Sequence, residues 1–445
     1  MPLHLFFVCW TVCKGECHPP FCAIPLLSVD KIMSVHENLQ RHSREACPRE
    51  GGDCAGMTIL AAVMINSRLD SCERTLPSPI PRVHGRIDRR NLPVTIQGLH
   101  HITLVTSDAR RNVDFYTQTL GLRFVKKTVN FDEPSAYHLY YGDHVGSPGS
   151  AVTFFEWKGV PQGRPGIGGT HHFALTVTDY DGLLKWKRRL LDLGLQVNGP
   201  YDRHYFKSIY FRDPDGVILE IATQGPGWTV DEAPDEIGTH HVDPPQEMIA
   251  ANRDEAAIAR LTWPEPVPEI TPDMALSRGM HHITAISSDI RRTHEFFGGL
   301  LGMRLVKQTS NFDDPGSKHW YWGVGEGKPG TLITCFERDP KREPHARVGR
   351  GQTHHFALSV PDESAQLAWR EKLIGAGYRV SPVMDRVYFK SIYTNDPDGH
   401  IVELATAGPG FAVDEEVTHL GESLKLPPWL EPYRDDIEAG LTPIR

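Results

Sequence analysis

Residues 98–130 read GLHHITLVTSDARRNVDFYTQTLGLRFVKKTVN, and residues 279–311 read GMHHITAISSDIRRTHEFFGGLLGMRLVKQTSN. The echo continues. THHFALTV at 170–177 returns as THHFALSV at 353–360, and DRHYFKSIYFRDPDGVILEIATQGPG at 202–227 returns as DRVYFKSIYTNDPDGHIVELATAGPG at 385–410. Self-similarity at a fixed offset of 181–183 residues marks an internal duplication.

A weaker repeat lies inside each copy. An alternating run opening on paired histidines (His100-His101, then His171-His172) precedes a helical pattern, and further strand signals follow. Helices are expected over Asp108–Leu120 and Asp181–Leu193, stopped by Gly121 and Gly194. Strand runs follow at Tyr137–Tyr141 and Val152–Trp157, then at Tyr205–Arg212 and Val217–Thr223 around an Asp213-Pro214-Asp215-Gly216 turn. Each quarter thus reads β-α-β-β-β. The expected architecture is α+β, with four βαβββ modules in two duplicated halves.

The boundaries follow: an N-terminal extension over 1–95, paired modules over 96–226, a linker over 227–278, a second pair over 279–409 and a tail over 410–445. The linker repeats the tail, since GPGWTVDEA before Pro244-Pro245 matches GPGFAVDEE before Pro427-Pro428. One linker helix is expected, over Met248–Leu261.

Composition narrows the classes. With 40% hydrophobic residues, 23% charged and a net charge of −9, the 445-residue chain reads as soluble and globular, with no electrostatic footprint for nucleic acid or membrane. Seven of its eight cysteines lie in the first 72 residues. Their spacing fits no zinc pattern, and the extension reads as disordered and without function. The lone Cys335 beyond it fits a reducing, cytoplasmic setting rather than a disulfide framework.

Successive strand residues face opposite ways, so one histidine of each pair points into a shared interior. Glu220 and Glu403 stand in the apolar runs VILEIA and HIVELA, where an unpaired carboxylate is costly. One histidine from each module of a pair plus this glutamate make two imidazoles and a carboxylate. That is the ligand set of a non-haem Fe(II) facial triad, which leaves positions open for substrate and O₂.

These motifs carry a family resemblance. The modules, together with HHIT, VK(K/Q)T-x-NFD, YFKSIY and EIATxGPG, resemble the vicinal oxygen chelate (glyoxalase/bleomycin-resistance/extradiol dioxygenase) superfamily, and within it the ring-cleaving dioxygenases of hydroquinones. The resemblance spans about residues 97–445 and implies that each half is a cupped mixed sheet around a metal site, with helices outside. It implies His101, His172, Glu220, His282, His355 and Glu403 as metal ligands. It further implies catalytic roles around the metal for His100, Thr103, His171, Arg203 and Tyr210, and for His281, Thr284, His354, Arg386 and Tyr393. The implied cofactor is Fe(II), with Mn(II) an alternative, one per half if both sites fill. The implied partners are a small hydroquinone- or catechol-like aromatic and O₂, and self-association stays open. His138 and His319 read as strand histidines packed on aromatic neighbours.

Two alternatives share the fold: a redox-neutral, glyoxalase-like isomerase or lyase, and a non-catalytic small-molecule-binding protein. A second carboxylate would be expected for the first and no metal triad for the second. All four modules keep their residues, so two pairings are open. The short link Lys158–Gly169 favours each half closing on itself. In the exchanged version His101 joins His355 and Glu403, and His282 joins His172 and Glu220.

Overall fold

The computed structural model describes residues 95–444. The expectation for residues 1–95 and their seven cysteines therefore falls almost wholly outside the described residues. In the first module, β1 (Gly98–Thr106) leads to α1 (Ala109–Asp114), β2 (Arg123–Asn130), β3 (Glu133–Gly142) and β4 (Ala151–Glu156). The second runs β5 (Thr170–Val177), α2 (Tyr180–Asp192), β6 (Asn198–Asp202), β7 (Lys207–Arg212) and β8 (Ile218–Thr223). The short α3 (Glu255–Arg260) lies in the joining segment. The third module runs β9 (Met280–Ser287), α4 (Ile290–His294), β10 (Arg304–Asn311), β11 (Asp314–Gly323) and β12 (Leu332–Glu337). The fourth runs β13 (Thr353–Val360), α5 (Glu363–Gly375), β14 (Met384–Asp385), β15 (Lys390–Asn395) and β16 (Ile401–Thr406), and α6 (Arg434–Gly440) follows. This is the expected α+β series of four βαβββ modules.

The helix signals hold with adjustments. Asp108, Asp179, Asp289 and Asp362 cap the four module helices by accepting a hydrogen bond from a first-turn N–H. After α1 the chain widens into a π turn over Phe115–Thr119, closed by Leu120 N–H donating to Phe115 O. The helix expected over Met248–Leu261 is reduced to a 3₁₀ turn at Gln246–Met248 and to α3. Between them the Ala250 N–H is given to Phe312 O, which pins the backbone out of helical register.

The sheets correct the expected pairing. One eight-stranded sheet has the order β14-β15-β16-β13-β1-β4-β3-β2, and the other β10-β11-β12-β9-β5-β8-β7-β6. The first module therefore joins the fourth, and the second joins the third, through the antiparallel seams β1–β13 and β5–β9. The halves exchange modules instead of closing on themselves. The link Lys158–Gly169 does not prevent this, because twelve extended residues reach about 40 Å. It crosses between the sheets and bridges the matching link of the second half, Gln162 to Arg350 and Arg164 to Arg347. The tails follow the same exchange. The first lies along β10 through His241 and Gln308, and the second along β2 through Leu424 and Lys127.

Strand alternation divides the packing. Ile102 and Leu104 of β1, Phe356 and Leu358 of β13, and Val402 and Leu404 of β16 enter the large core shared with the helices. Ala357 and Ala405 face the opposite, concave side with Tyr140, Tyr388 and Phe389. His101, Thr103 and Glu403 alternate with the core residues of their strands, so period two sends them to the concave side.

Candidate metal centres

Two clusters of metal-binding side chains emerge, one in each sheet: His101, His355 and Glu403, and His172, Glu220 and His282. Register explains each. Glu403 pairs with Ala357 on the neighbouring strand, where the small side chain leaves room, and His101 pairs with the same alanine across the seam. Glu220 and His282 meet Ala174 in the same way.

The donor atoms are already gathered. In the first cluster His101 Nε2 lies 3.3 Å from His355 Nε2 and 3.3 Å from Glu403 Oε2, and His355 Nε2 lies 3.0 Å from that oxygen. The second shows 3.1 Å between His172 and His282, with 2.8 and 3.2 Å from them to Glu220 Oε2. Ligands set at right angles on bonds of ~2.1 Å stand about 3.0 Å apart. Both triangles fit three mutually adjacent positions around one ion. All six side chains are at least 96% buried, yet neither oxygen of Glu220 nor Oε2 of Glu403 has a hydrogen-bond partner outside its triad. A buried carboxylate oxygen left this way is what a cation would satisfy.

Electrostatics agree. Burial would raise the carboxyl pKa values, but adjacent imidazoles hold both glutamates well below their ordinary range, His282 and His172 for Glu220 and His101 and His355 for Glu403. Burial also lowers His172 and His355, which keeps them neutral as ligands require. The second oxygen of Glu403 accepts from Ser391 Oγ. The matching Ser208 hydroxyl turns instead to Tyr210 at 3.3 Å.

The other expected residues separate into two groups. His354, Arg386 and Tyr393 line a cavity of about 200 Å³ above the first triad. Arg203 and Tyr210 line its counterpart above the second, of about 20 Å³. The arginines sit at tight turns where His204 and Val387 adopt φ of 65° and 67°, a conformation costly for a branched side chain. Arg386 donates from Nε to Tyr393 Oη at 3.2 Å and pairs with Asp132 at 2.9 Å.

His100 and Thr103 lie behind the first cavity. His100 Nδ1 faces His101 Nδ1 at 2.9 Å and its Nε2 meets Thr406 O at 3.1 Å. His281, His171 and His354 face their neighbours through Nδ1 at 2.9, 2.7 and 2.8 Å. Burial and the adjacent imidazole push all four outer histidines down to about 3. Thr103 and Thr284 share their hydroxyls with Thr153 and Thr334 at 2.7 and 2.8 Å.

Sequence reasoning passed over His138 and His319. His138 lines the first cavity, with Nε2 3.0 Å from Thr153 Oγ1 and Nδ1 2.8 Å from Tyr140 Oη. His319, Thr334 and Tyr321 repeat this at 2.9 and 3.0 Å. The signal was the same-face spacing of His138 and Tyr140, repeated at His319 and Tyr321.

The model of the Glyoxalase/Bleomycin resistance protein/Dioxygenase superfamily matches residues 98–221 and 279–404. The chain belongs to this superfamily. The family implies a bound metal ion, which each triad can hold. "Putative ring-cleaving dioxygenase MhqO" of Bacillus subtilis is 34% identical over 78% of this chain and 96% of that protein. "Chlorohydroquinone/hydroquinone 1,2-dioxygenase" of Sphingobium indicum is 28% identical over 78% of this chain and 96% of its own. A crystal structure of a "putative dioxygenase" from Bacillus subtilis superposes with a TM-score of 0.64 at 31% identity, covering 79% of this chain and 98% of that one. Similarity of this extent to ring-cleaving dioxygenases supports an oxygenase enzyme.

Proposed function

We propose that this superfamily member is a non-haem Fe(II)-dependent ring-cleaving dioxygenase of a hydroquinone- or catechol-like aromatic. The observation that carries the reading is the first triad, whose two histidines line an aromatic-walled cavity of about 200 Å³ with a cation and two hydroxyls at its wall. His101, His355 and Glu403 hold one ion, and His172, His282 and Glu220 another. When bound, Fe(II) supplies a Lewis acid and an electron path between the ring and O₂.

The remaining steps belong to side chains. Phe155 and Phe389 bound the slot for a planar ring and exclude water. Arg386 stabilises a phenolate and the anionic ring-opened product. Tyr393 Oη, held by Arg386, orients a ring hydroxyl. His354, neutral because of its burial, accepts a hydrogen bond from a ring hydroxyl. His138 fixes Tyr140 on the opposite wall. Thr103 and His100 act through neighbours, Thr103 by placing Thr153 and His100 by orienting His101. Thr284, His281, His171, Arg203 and Tyr210 take the matching positions in the second site. The free, buried thiol of Cys335 accords with a reducing, cytoplasmic setting. Among the described residues no helix is long and apolar enough to cross a membrane.

The test is anaerobic reconstitution with Fe(II), followed by oxygen uptake with methyl- or chloro-hydroquinone. Stoichiometric uptake with a ring-opened product is expected. Tight Zn²⁺ or Ni²⁺ binding with no oxygen consumed would overturn the reading in favour of a glyoxalase-like isomerase.

A further inference from the structure

Every residue lining the cavity of the second triad has the same residue type at the matching position of the first. The volumes nevertheless differ tenfold, about 200 Å³ against about 20 Å³. Room for a water is ~10–15 Å³ on this scale, so the second cavity admits about one water. The cause must lie behind the lining.

At the second site Asp313 takes two guanidiniums. Arg203 Nη2 donates to its Oδ2 at 2.8 Å and Arg253 Nη2 to its Oδ1 at 2.7 Å. Both stack on Tyr201, at 5.0 and 4.3 Å from the ring centre. Tyr201 Oη and Arg253 Nε are tied together by Glu255. The same tail segment donates Ala250 N–H to Phe312 O, and Phe312 is 2% exposed.

None of this backing is repeated at the first site. The position matching Tyr201 is Met384. Among the described residues Arg386 alone pairs with Asp132, and the tail's Arg434 is occupied by Glu431 and Glu438. Phe131, matching Phe312, is half-buried and touches the exposed Trp429 edge-on.

Outside the second site lies an open vestibule of about 440 Å³ that shares Arg203, Tyr210 and Asp313 with the inner cavity. These three form the partition between solvent and triad.

We propose that Tyr201 and Arg253 lock the Arg203–Asp313 pair across the second triad, so that a fully metal-loaded chain binds one aromatic ring, at the first triad alone. This inference rests on the proposed function. It makes Tyr201 and Arg253 positioning residues that separate two sites of identical lining. The second triad keeps its ion behind a closed wall, and the first carries the ring.

The test is equilibrium dialysis of chlorohydroquinone against the metal-loaded full chain without oxygen, with metal content measured on the same samples. Two metals and one ring per chain are expected. Tyr201→Met/Arg253→Ala, which puts the first site's methionine at 201 and removes the second guanidinium, is expected to take two rings with two metals. Two rings on the unaltered chain overturn the lock, as does one ring on a double variant that still holds two metals. Should the double variant lose metal, Arg253→Gln alone carries the test, since Arg253 touches no ligand of the triad. No ring on a chain that holds its metal defeats the proposed function instead, so the two failures are told apart.

Discussion

His101 and His355, 254 residues apart in the chain, bring their Nε2 atoms to 3.3 Å across the β1–β13 seam. Each belongs to a different half of the duplication, so every triad draws ligands from both halves. The consequence is measurable. His101→Ala and Glu403→Ala disable the same site, and their combination is expected to leave one metal per chain. His101→Ala with Glu220→Ala is expected to leave none, because effects at separate sites add. Metal analysis after gel filtration checks this, and the reverse pattern would restore self-closed halves.

Arg386 holds Tyr393 Oη and faces the first cavity beside Asp132. Arg386→Gln is expected to lower kcat/KM by about 10²-fold, the usual loss for one donor aimed at developing charge. Metal content should not change. Oxygen-uptake kinetics alongside metal analysis separates this from loss of the ion.

His138 connects Tyr140 Oη to the Thr153–Thr103 hydroxyl pair. Replacing it with Phe keeps the aromatic packing and removes both ring nitrogens. A fall in kcat of about 10² is expected if this wall moves or holds a proton, with Tyr140→Phe losing less. An unchanged kcat in both variants would reduce His138 to packing.

Acid should destabilise the metal-free chain in two overlapping stages. His100, His171, His281 and His354 have folded pKa values of about 3 against an ordinary 6.5. Their stabilisation is complete above pH 6.5 and is lost as pH falls toward 3, because the unfolded chain binds their protons first. Glu220 and Glu403, held low by their imidazoles, add a loss that begins below about pH 4.3. Tm followed from pH 8 to 4 should fall steadily from near pH 6.5. A flat profile over that range would show that these histidines are not buried neutral.

Much of the site was legible because its signals are local. The paired histidines, the glutamate in an apolar strand and the YFKSIY motif each occupy one short segment, and the duplication displays them twice. The burial of both histidines in the pairs His100-His101 and His281-His282 was not legible. Strict alternation sends His100 away from His101, but a register shift between Leu99 and His101 lets both rings stay inside, 5.1 Å apart. His138 was passed over because an aromatic-flanked strand histidine reads as packing until its partners are seen. The linker helix was overestimated for a related reason: the bond from Ala250 to Phe312 is long-range.

The repeat, the four modules and the identity of the His and Glu candidates are properties of the sequence by itself, since period-two alternation and fixed offsets survive without tertiary context. Which histidine meets which glutamate is not such a property. All four modules open with the same kind of strand, the spacings suit both pairings, and a twelve-residue link reaches either sheet. Only the antiparallel docking of β1 on β13 and of β5 on β9 decides the triads. The difference between the two cavities is likewise tertiary. Their linings are identical in sequence, and what narrows one of them is a tyrosine and an arginine brought from behind by a different strand and a different tail.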